Sequence, residues 1–420
     1  MESVGGSVTR AASWTLLAAC LAVPARAQIR VLPVTADVDS LEIGPFYVRP
    51  SLTIRNLGVD GNVFNSGDRP RSDRTAILNP GLGLFLPVGR RVRLAADGGL
   101  DVAWFARESE ERYLDHYGSA DLELELRPVT VFAGMGGGRH RRRFTIEIDQ
   151  RLRRRLADAR AGARIGIGDR TALAVELATE TEVFAGDEGG GAQATKSALD
   201  RESRDLNMEL RYQLTHKTTL LATAQLRRDD FTSDPRALTR ASSRRILAGF
   251  ELSPKALVGG HVLIGARVFP ERDDQAAPVF SGLALSAQVS RRLAWFARVQ
   301  LRADRDVSHS FRSGQRDGES RRNAYVYGRY GVSLDLGLPA DLLARTSADL
   351  ERARYLLPIL RAGEPRERAE RRWVLRGTLL LPVGKRLRLG ATVSWAQRIS
   401  GFTEASYDGI YYGLAAELRP

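Results

Sequence analysis

Cysteine, lysine and long apolar runs are the three features that this 420-residue sequence has least of. Its single cysteine, Cys20, offers no pair for an internal disulfide and no cysteine-based metal site. After residue 23, no segment offers about 18 consecutive apolar residues, which excludes a protein that crosses a membrane with helices. Lysine occurs only at 196, 217, 255 and 385, so arginine carries nearly all of the cationic charge behind the formal net charge of +13.

The N-terminus predicts export from the cytoplasm. Arg10 precedes the apolar run AASWTLLAACLAV at 11–23, and Pro24 ends that run. Ala25-Arg26-Ala27 then places small residues at the two positions that a signal peptidase recognises. We therefore expect residues 1–27 to be a signal peptide, because the run is too short to span a bilayer.

An alternative N-terminus lies inside the same run. Leu17-Ala18-Ala19-Cys20 resembles a bacterial lipobox, which would make Cys20 a lipidated first residue. Cleavage after Ala27 would instead remove the only cysteine and leave a periplasmic segment at 28–43.

In the remainder of the chain, apolar and polar residues alternate with a period of two. Within 171–183, Leu173 and Leu177 fall on one face and Glu176 on the other, and 293–304 and 386–395 alternate in the same way. Successive side chains of a strand point to opposite faces, so each run predicts a strand with one apolar and one polar face. About 18 such strands are predicted, beginning near residues 44, 75, 91, 115, 128, 157, 171, 203, 218, 242, 257, 278, 293, 323, 342, 370, 386 and 407.

The connections between these strands alternate in length. Short turns include the two copies of one phrase, LPVGRRVRL at 86–94 and LPVGKRLRL at 381–389. The longer polar connections lie near 57–74, 139–156, 185–202, 307–322 and 356–369. Short turns on one side and long loops on the other are typical of a transmembrane antiparallel β-barrel, here over 44–420 with 16–20 strands. A soluble sandwich or propeller is the alternative, but its strands average about 5–6 residues, and these run for roughly 10–14.

The polar faces of these strands supply candidates for the lining of a pore. They carry both signs of charge, as expected of a wet channel that must not trap its solute. The candidates are Arg49, Arg55, Arg93, Asp97, Asp101, Glu123, Glu125, Glu176, Arg298, Arg302, Arg329 and Arg388.

A basic loop is predicted from Arg139, Arg141, Arg142 and Arg143, within RHRRRFTIEIDQRLRRRLADAR at 139–160. Nucleic-acid binding would need aromatic residues to stack bases, and Phe144 is the only one present. Two interpretations remain open. The loop either attracts anions at a pore mouth or constriction, or it binds anionic lipopolysaccharide at a solvated rim.

Other motifs favour structural roles. Gly134-Met135-Gly136-Gly137-Gly138 lacks the Lys-Ser/Thr of a phosphate loop and predicts a bulge or a loop at the rim. The histidines have no metal-ligand spacing, and no G-x-S-x-G elbow is present, so no catalytic residue, metal or cofactor is predicted. Seven aromatic residues near the external strand ends predict a girdle at the membrane interface. They are Trp104, Phe105, Phe184, Phe231, Phe269, Tyr355 and Phe402.

Several N-terminal phrases resemble the putative β-barrel porin 2 family of Gram-negative outer-membrane proteins. They are FYVRPSLTIRNLGVDGNVF at 46–64, NPGLGLFLPVGRRVRL at 79–94, AWFARESEERYLD at 103–115 and EIDQRLRRR at 147–155. The resemblance implies an outer-membrane porin-like barrel, and some members of the family are associated with exopolysaccharide systems.

We therefore expect a channel for hydrophilic solutes or for export of polysaccharide. A non-conducting partner in an envelope or exopolysaccharide assembly is the alternative, and an outer-membrane hydrolase is a third. The expected partners are outer-membrane lipid and lipopolysaccharide, the barrel-assembly machinery, and a small hydrophilic solute or polysaccharide, with no nucleic acid. Many barrels end on an aromatic residue recognised during assembly, whereas this sequence ends Leu418-Arg419-Pro420.

Overall fold

Almost every residue in the described part of the chain belongs to one closed β-sheet. The computed structural model describes Ile29 and residues 40–144, 146–147, 151–185, 200–232, 240–253, 256–270, 278–316, 319–361, 364–384, 386–402 and 405–418. The signal peptide predicted at 1–27, Cys20, and all of 28–39 except Ile29 lie outside these residues. Within them, no helix is both long enough and apolar enough to cross a membrane.

The strands are β1 Leu41–Ile43, β2 Phe46–Asp60, β3 Asp73–Val88, β4 Val92–Phe105, β5 Tyr113–Leu126, β6 Val129–Arg142, β7 Leu152–Ile167, β8 Thr171–Ala185, β9 Arg201–Thr215, β10 Thr218–Phe231, β11 Arg240–Leu252, β12 Val258–Phe269, β13 Phe280–Ala294, β14 Ala297–Arg316, β15 Glu319–Gly337, β16 Leu343–Tyr355, β17 Ile359–Arg361, β18 Glu364–Arg366, β19 Ala369–Val383, β20 Leu387–Ser400 and β21 Tyr407–Leu418. Two single 3-10 turns, Ser109–Glu111 and Pro339–Asp341, interrupt the connections.

Eighteen strands close the barrel, which confirms the predicted fold. Each pairs antiparallel with its sequence neighbour, and β21 pairs with β2 from Leu52↔Leu418 to Asp60↔Tyr411. This closing seam shifts register between Ile54 and Leu57. The short strand β1 adds to the start of β2, and β17 and β18 form a separate small hairpin between β16 and β19. The even strand number places both 41–46 and 414–418 at the end of the barrel that carries the short turns.

The repeated phrase forms the same turn twice. Val88 pairs with Val92 across residues 89–91, and Val383 pairs with Leu387 across 384–386. Gly89 and Gly384 have φ angles of 62° and 77°, in the left-handed region that glycine enters without steric cost. The sequence therefore repeats because the barrel makes two three-residue hairpins with the same backbone requirement.

Two predicted loops are shorter than their sequences indicate. β6 extends to Arg142 and β7 begins at Leu152, so much of 139–156 is strand. β14 extends to Arg316 and β15 begins at Glu319, so the described residues of 307–322 belong to two paired strands rather than to a loop. The prediction failed because it took a high density of charged residues as the sign of a loop. A polar strand that extends beyond the membrane pairs as readily as an apolar one.

The glycine-rich stretch 134–138 was predicted to form a bulge or a rim loop, and this prediction is wrong. It lies inside β6, which pairs with β5 and β7 without a shift of register. Gly134 faces the lumen between Asp121 of β5 and Arg160 of β7. A Cβ at Gly134 would collide with both side chains, so glycine makes room for an Asp121–Arg160 ion pair that crosses over β6.

The two faces of the wall differ as the alternation predicts. On the outward face, Leu177 is 64% exposed, Leu414 58% and Leu389 43%. On the inward face, Glu209 is 1% exposed and Glu176 2%. The apolar face is therefore the one available to lipid.

Orientation is testable by surface labelling. Asp68→Cys lies in the exposed part of the 61–72 connection, and Arg90→Cys lies in the exposed turn 89–91. Because long connections face outward in such barrels, a membrane-impermeant maleimide should label Asp68→Cys on intact cells and Arg90→Cys only after lysis. Labelling of Arg90→Cys on intact cells would reverse the assigned orientation.

The lipid face is testable by arginine substitution. Leu177 lies midway along β8, so Leu177→Arg should lower the free energy of unfolding from lipid vesicles by about 2–4 kcal/mol. Leu257→Arg, at an exposed turn, should lower it by about 1 kcal/mol or less. Urea titrations of both variants measure the difference, and equal costs would contradict the assigned membrane depth.

Candidate functional site: the lumen and its external mouth

The inward face of the wall is lined with ion pairs between neighbouring strands. Arg55 Nη2 lies 2.7 Å from Asp101 Oδ1, and Arg93 Nη2 lies 2.8 Å from Glu123 Oε2. Arg49 and Asp97 form a longer pair of 3.4 Å. Each pair joins β2 or β4 to a strand one or two positions away, so the predicted polar residues meet across the wall.

The other predicted lining residues also lie on inward faces or at the periplasmic turns. Arg329 lies 3.5 Å from Asp349 and 3.8 Å from Glu351. Glu176 accepts a hydrogen bond from Asn207, and Arg298 donates one to Ser290. Glu125 pairs at 2.9 Å with Arg127 in the turn after β5. Two arginines complete the set: Arg302 shares its face with Asp304, and Arg388 is paired in register with Glu417.

Toward the external end of the lumen lies a set of arginines that the sequence did not single out. Arg245 of β11 and Arg267 of β12 both contact Asp306 of β14, at 2.9 and 2.5 Å. Arg227 of β10 lies 2.9 Å from Asp229. In the sequence, only the period of two marks these arginines as inward-facing. The pattern does not distinguish a charged residue that faces solvent from one that faces a buried partner.

Ile29 lies inside the half of the barrel that carries the short turns. Its backbone N–H donates to Glu209 Oε2 at 3.0 Å, and its side chain packs against Phe132 and Ala174. The predicted periplasmic segment 28–43 therefore includes at least one residue in contact with the lumen wall.

The predicted aromatic girdle is wrong for six of its seven members. Trp104 points outward and is 46% exposed. The other six are 2–7% exposed and belong to clusters of buried residues at the external end of the barrel: Phe105, Phe184, Phe231, Phe269, Tyr355 and Phe402. Alternation identifies two faces, but it does not show that the external end of the polar face is itself covered.

The cover is formed by the described residues of the connection between β6 and β7, which are 143–144, 146–147 and 151. Phe144 packs edge-on against Phe184 of β8, with ring centroids 5.8 Å apart. Ile146 packs against Tyr325, Tyr355 and Phe402, which belong to the half of the wall opposite β6 and β7. The connection therefore crosses the external mouth from one wall to the other.

A buried ionic network fixes the far end of this connection. Glu147 accepts a hydrogen bond of 2.7 Å from Ser310 Oγ and lies 3.8 Å from Arg368. Arg368 also pairs with Glu370, which pairs with Arg398 at 2.8 Å. The side chains of these last three residues are at most 1% exposed. The guanidinium of Arg368 also stacks on Tyr355, 4.8 Å from the ring centre.

The four residues of the predicted basic loop take separate positions. Arg139, Arg141 and Arg142 lie on the end of β6 rather than in a loop. Arg141 pairs with Glu111 at 3.6 Å, and Arg143 donates to the backbone oxygen of Val63 at 2.6 Å. Arg142 stacks on Phe144 inside the mouth, whereas Arg139 faces outward with Met135. The prediction of one basic loop is wrong, because strand pairing separates neighbouring residues onto opposite faces.

One serine, one histidine and one aspartate do meet in the lumen. His309 Nε2 lies 3.1 Å from Asp229, and Ser203 Oγ donates to the same carboxylate at 2.6 Å. A Ser-His-Asp triad requires the imidazole to contact the serine hydroxyl, and here the carboxylate lies between them. Within the described residues, no group of three or more His, Cys, Asp and Glu side chains is arranged to hold a metal ion.

The family model described as putative β-barrel porin 2 matches residues 40–419, which is the whole barrel. The chain belongs to this family. This confirms the resemblance carried by its N-terminal phrases. No curated protein matches the sequence.

Solved structures similar to this porin-family barrel share little sequence identity with it. OccAB3 from Acinetobacter baumannii has a TM-score of 0.47 at 10% identity, over 89% of this chain and 99% of its own. The siderophore receptor PirA from Pseudomonas aeruginosa has 0.42 at 12% identity, over 89% and 80%. A bacterial polysaccharide outer membrane secretin has 0.36 at 10% identity, over 91% and 100%. At this level the similarities carry no argument about the function of the chain.

The contribution of the buried ionic network at the external mouth to stability can be tested by substituting Glu370. Glu370→Gln removes the charge shared by two buried arginines, so the free energy of unfolding should fall by about 3–5 kcal/mol. Glu364→Gln changes an exposed carboxylate in β18 and should cost about 1 kcal/mol or less. Urea unfolding followed by tryptophan fluorescence measures both, and an equal, small cost would show that the network does not stabilise the barrel.

Proposed function

We propose that the protein is an outer-membrane channel for hydrophilic solutes, and that the structure has its external mouth closed. The observation that carries this proposal is the inward face of the wall, where arginines and carboxylates alternate and pair from β2 to β21. A barrel of this strand number encloses enough space for an aqueous channel unless something fills it. Paired charges of both signs suit the passage of a polar solute. They can form hydrogen bonds with it, and they do not form a ring of one sign of charge that would bind it tightly.

The closed mouth gives the proposal its second part. Phe144, Ile146 and Glu147 hold the β6–β7 connection across the opening by aromatic, apolar and ionic contacts. A passage for solute therefore requires these contacts to separate. Each is a local contact between side chains, so the connection can move without breaking the strand pairing of the wall.

The same closure favours a second candidate, a non-conducting barrel that serves as a partner in an envelope or exopolysaccharide assembly. Buried aromatic rings such as Tyr325 and Phe402 are typical of a packed core rather than a wet pore. The two candidates differ in one measurable property, which is ionic conductance.

Conductance in planar bilayers tests the proposal. Ile146→Ser combined with Glu147→Gln removes the apolar contact and weakens the ionic contact that hold the connection to the opposite wall. We expect the wild type to show low conductance with rare openings and the double variant to conduct about tenfold more, as expected for a loss of about 1.4 kcal/mol from the closed state.

Asp68→Asn, in the exposed 61–72 connection, serves as the control and should match the wild type. Folding of each variant is checked by its heat-dependent shift in gel mobility. Absence of conductance in the folded double variant would support the non-conducting partner. Swelling of proteoliposomes in neutral sugars of increasing size then separates a small solute from a polysaccharide.

A further inference from the structure

A row of basic side chains crosses the outward face of the barrel at its external end. His116 of β5, Arg139 of β6 and Arg155 of β7 are consecutive partners in the strand register. All three lie on the same face as Met135, which is 66% exposed toward lipid. Arg141 and Arg153 form the next row toward the outside. Like charges placed directly opposite on neighbouring strands repel each other, so this arrangement destabilises the bare wall.

The wall neutralises Arg139 and Arg155 only in part, because Asp115 attracts Arg139 electrostatically without forming a salt bridge with it. Within the part of the chain that the structure describes, neither guanidinium has a hydrogen bond or salt bridge. Other outward arginines at the same end do have partners. Arg204 lies 2.8 Å from Glu202, and Arg228 lies 3.0 Å from Asp230. These arginines differ from the row on β5–β7, although Arg352 of β16 and Arg371 of β19 form a second outward pair of arginines that lie directly opposite in register.

The row lies at the upper edge of the lipid-facing band. The distance along β7 from Ile165 to Arg155 is roughly 33 Å, at about 3.3 Å per residue. At a strand tilt near 40°, this is roughly 25 Å along the membrane normal, the usual height of the apolar band. Trp104, exposed on the outward face of β4, marks the same interface.

The residues below the row leave space for a lipid. Gly118, Gly137 and Ala157 are consecutive register partners one step toward the membrane centre. Their small side chains allow an acyl chain or a sugar to lie against the wall directly beneath the two guanidinium groups. Arginine binds phosphate through two parallel N–H···O hydrogen bonds, which a desolvated interface strengthens.

We propose that His116, Arg139 and Arg155 form a binding site for the phosphate group of an anionic glycolipid in the outer leaflet. The phosphate offsets the repulsion within the row, while the acyl chains cover the apolar face below it. The proposal rests on the placement of the barrel in the outer membrane and not on conduction through its lumen.

Binding of bis-phosphorylated lipid A to the purified full-length protein in detergent micelles tests the site. Native mass spectrometry counts the bound lipid over a titration. Arg139→Gln combined with Arg155→Gln should weaken binding at least about tenfold, because two charge-assisted contacts to one phosphate are lost. Arg204→Gln combined with Arg228→Gln removes the same charge from paired positions and should change binding by about twofold or less.

Two further arms identify the ligand. Dephosphorylated lipid A should bind the wild type about as weakly as bis-phosphorylated lipid A binds the Arg139→Gln, Arg155→Gln variant, and sodium phosphate should compete only at concentrations far above that of the lipid. Equal loss in both double variants would show general charge attraction and overturn the site. Unchanged binding in the Arg139→Gln, Arg155→Gln variant would overturn it as well. Competition by sodium phosphate at the lipid's own concentration would overturn the role of the lipid.

Discussion

Backbone hydrogen bonding in a medium without water is the constraint on which this structure depends. A lipid core offers no partner for an unpaired N–H or C=O, so strands can cross it only in a sheet without edges. The pairing of β21 with β2 removes the last edge, and every other feature follows from that closure. The alternating faces, the three-residue hairpins and the even strand number are all conditions for a sheet that must close on itself.

Closure of the barrel also requires the charged side chains that face the lumen to be paired. The inward face carries many charges in a confined space, where an unpaired charge is costly. Arg160 pairs over Gly134 with Asp121, and Asp306 serves both Arg245 and Arg267. These pairs stabilise the wall and also give it a surface that a hydrated solute can pass.

At the external end of the lumen, packing of apolar and aromatic side chains contributes in addition to ion pairing. There the β6–β7 connection brings Phe144 and Ile146 against aromatic residues of both walls, and the polar face becomes a small packed core. Glu147 is tolerated in this core because Ser310 and Arg368 provide its partners. The barrel thus combines a polar lumen with an apolar closure, and the function proposed for it depends on whether that closure separates.

The sequence alone determined the architecture, because a period of two, the length of each run and the spacing of turn residues are local properties. Most of the strand starts, the hairpin at Gly89 and its copy at Gly384, and the placement of Arg55 and Arg93 on polar faces followed from it, whereas the starts predicted near 157, 293 and 323 were displaced by four or five residues. Only the tertiary structure decided what each face meets. Phe105 and Phe184 fall in the same phase of the alternation as Asp101 and Glu176, on the polar faces of their strands, yet they face a mouth covered by a segment from another part of the chain. Arg139 and Arg142 are neighbours in one basic run, yet strand geometry directs one to lipid and the other to the lumen. Contacts between strands far apart in sequence leave no periodic signal, so no pattern in the chain could report them.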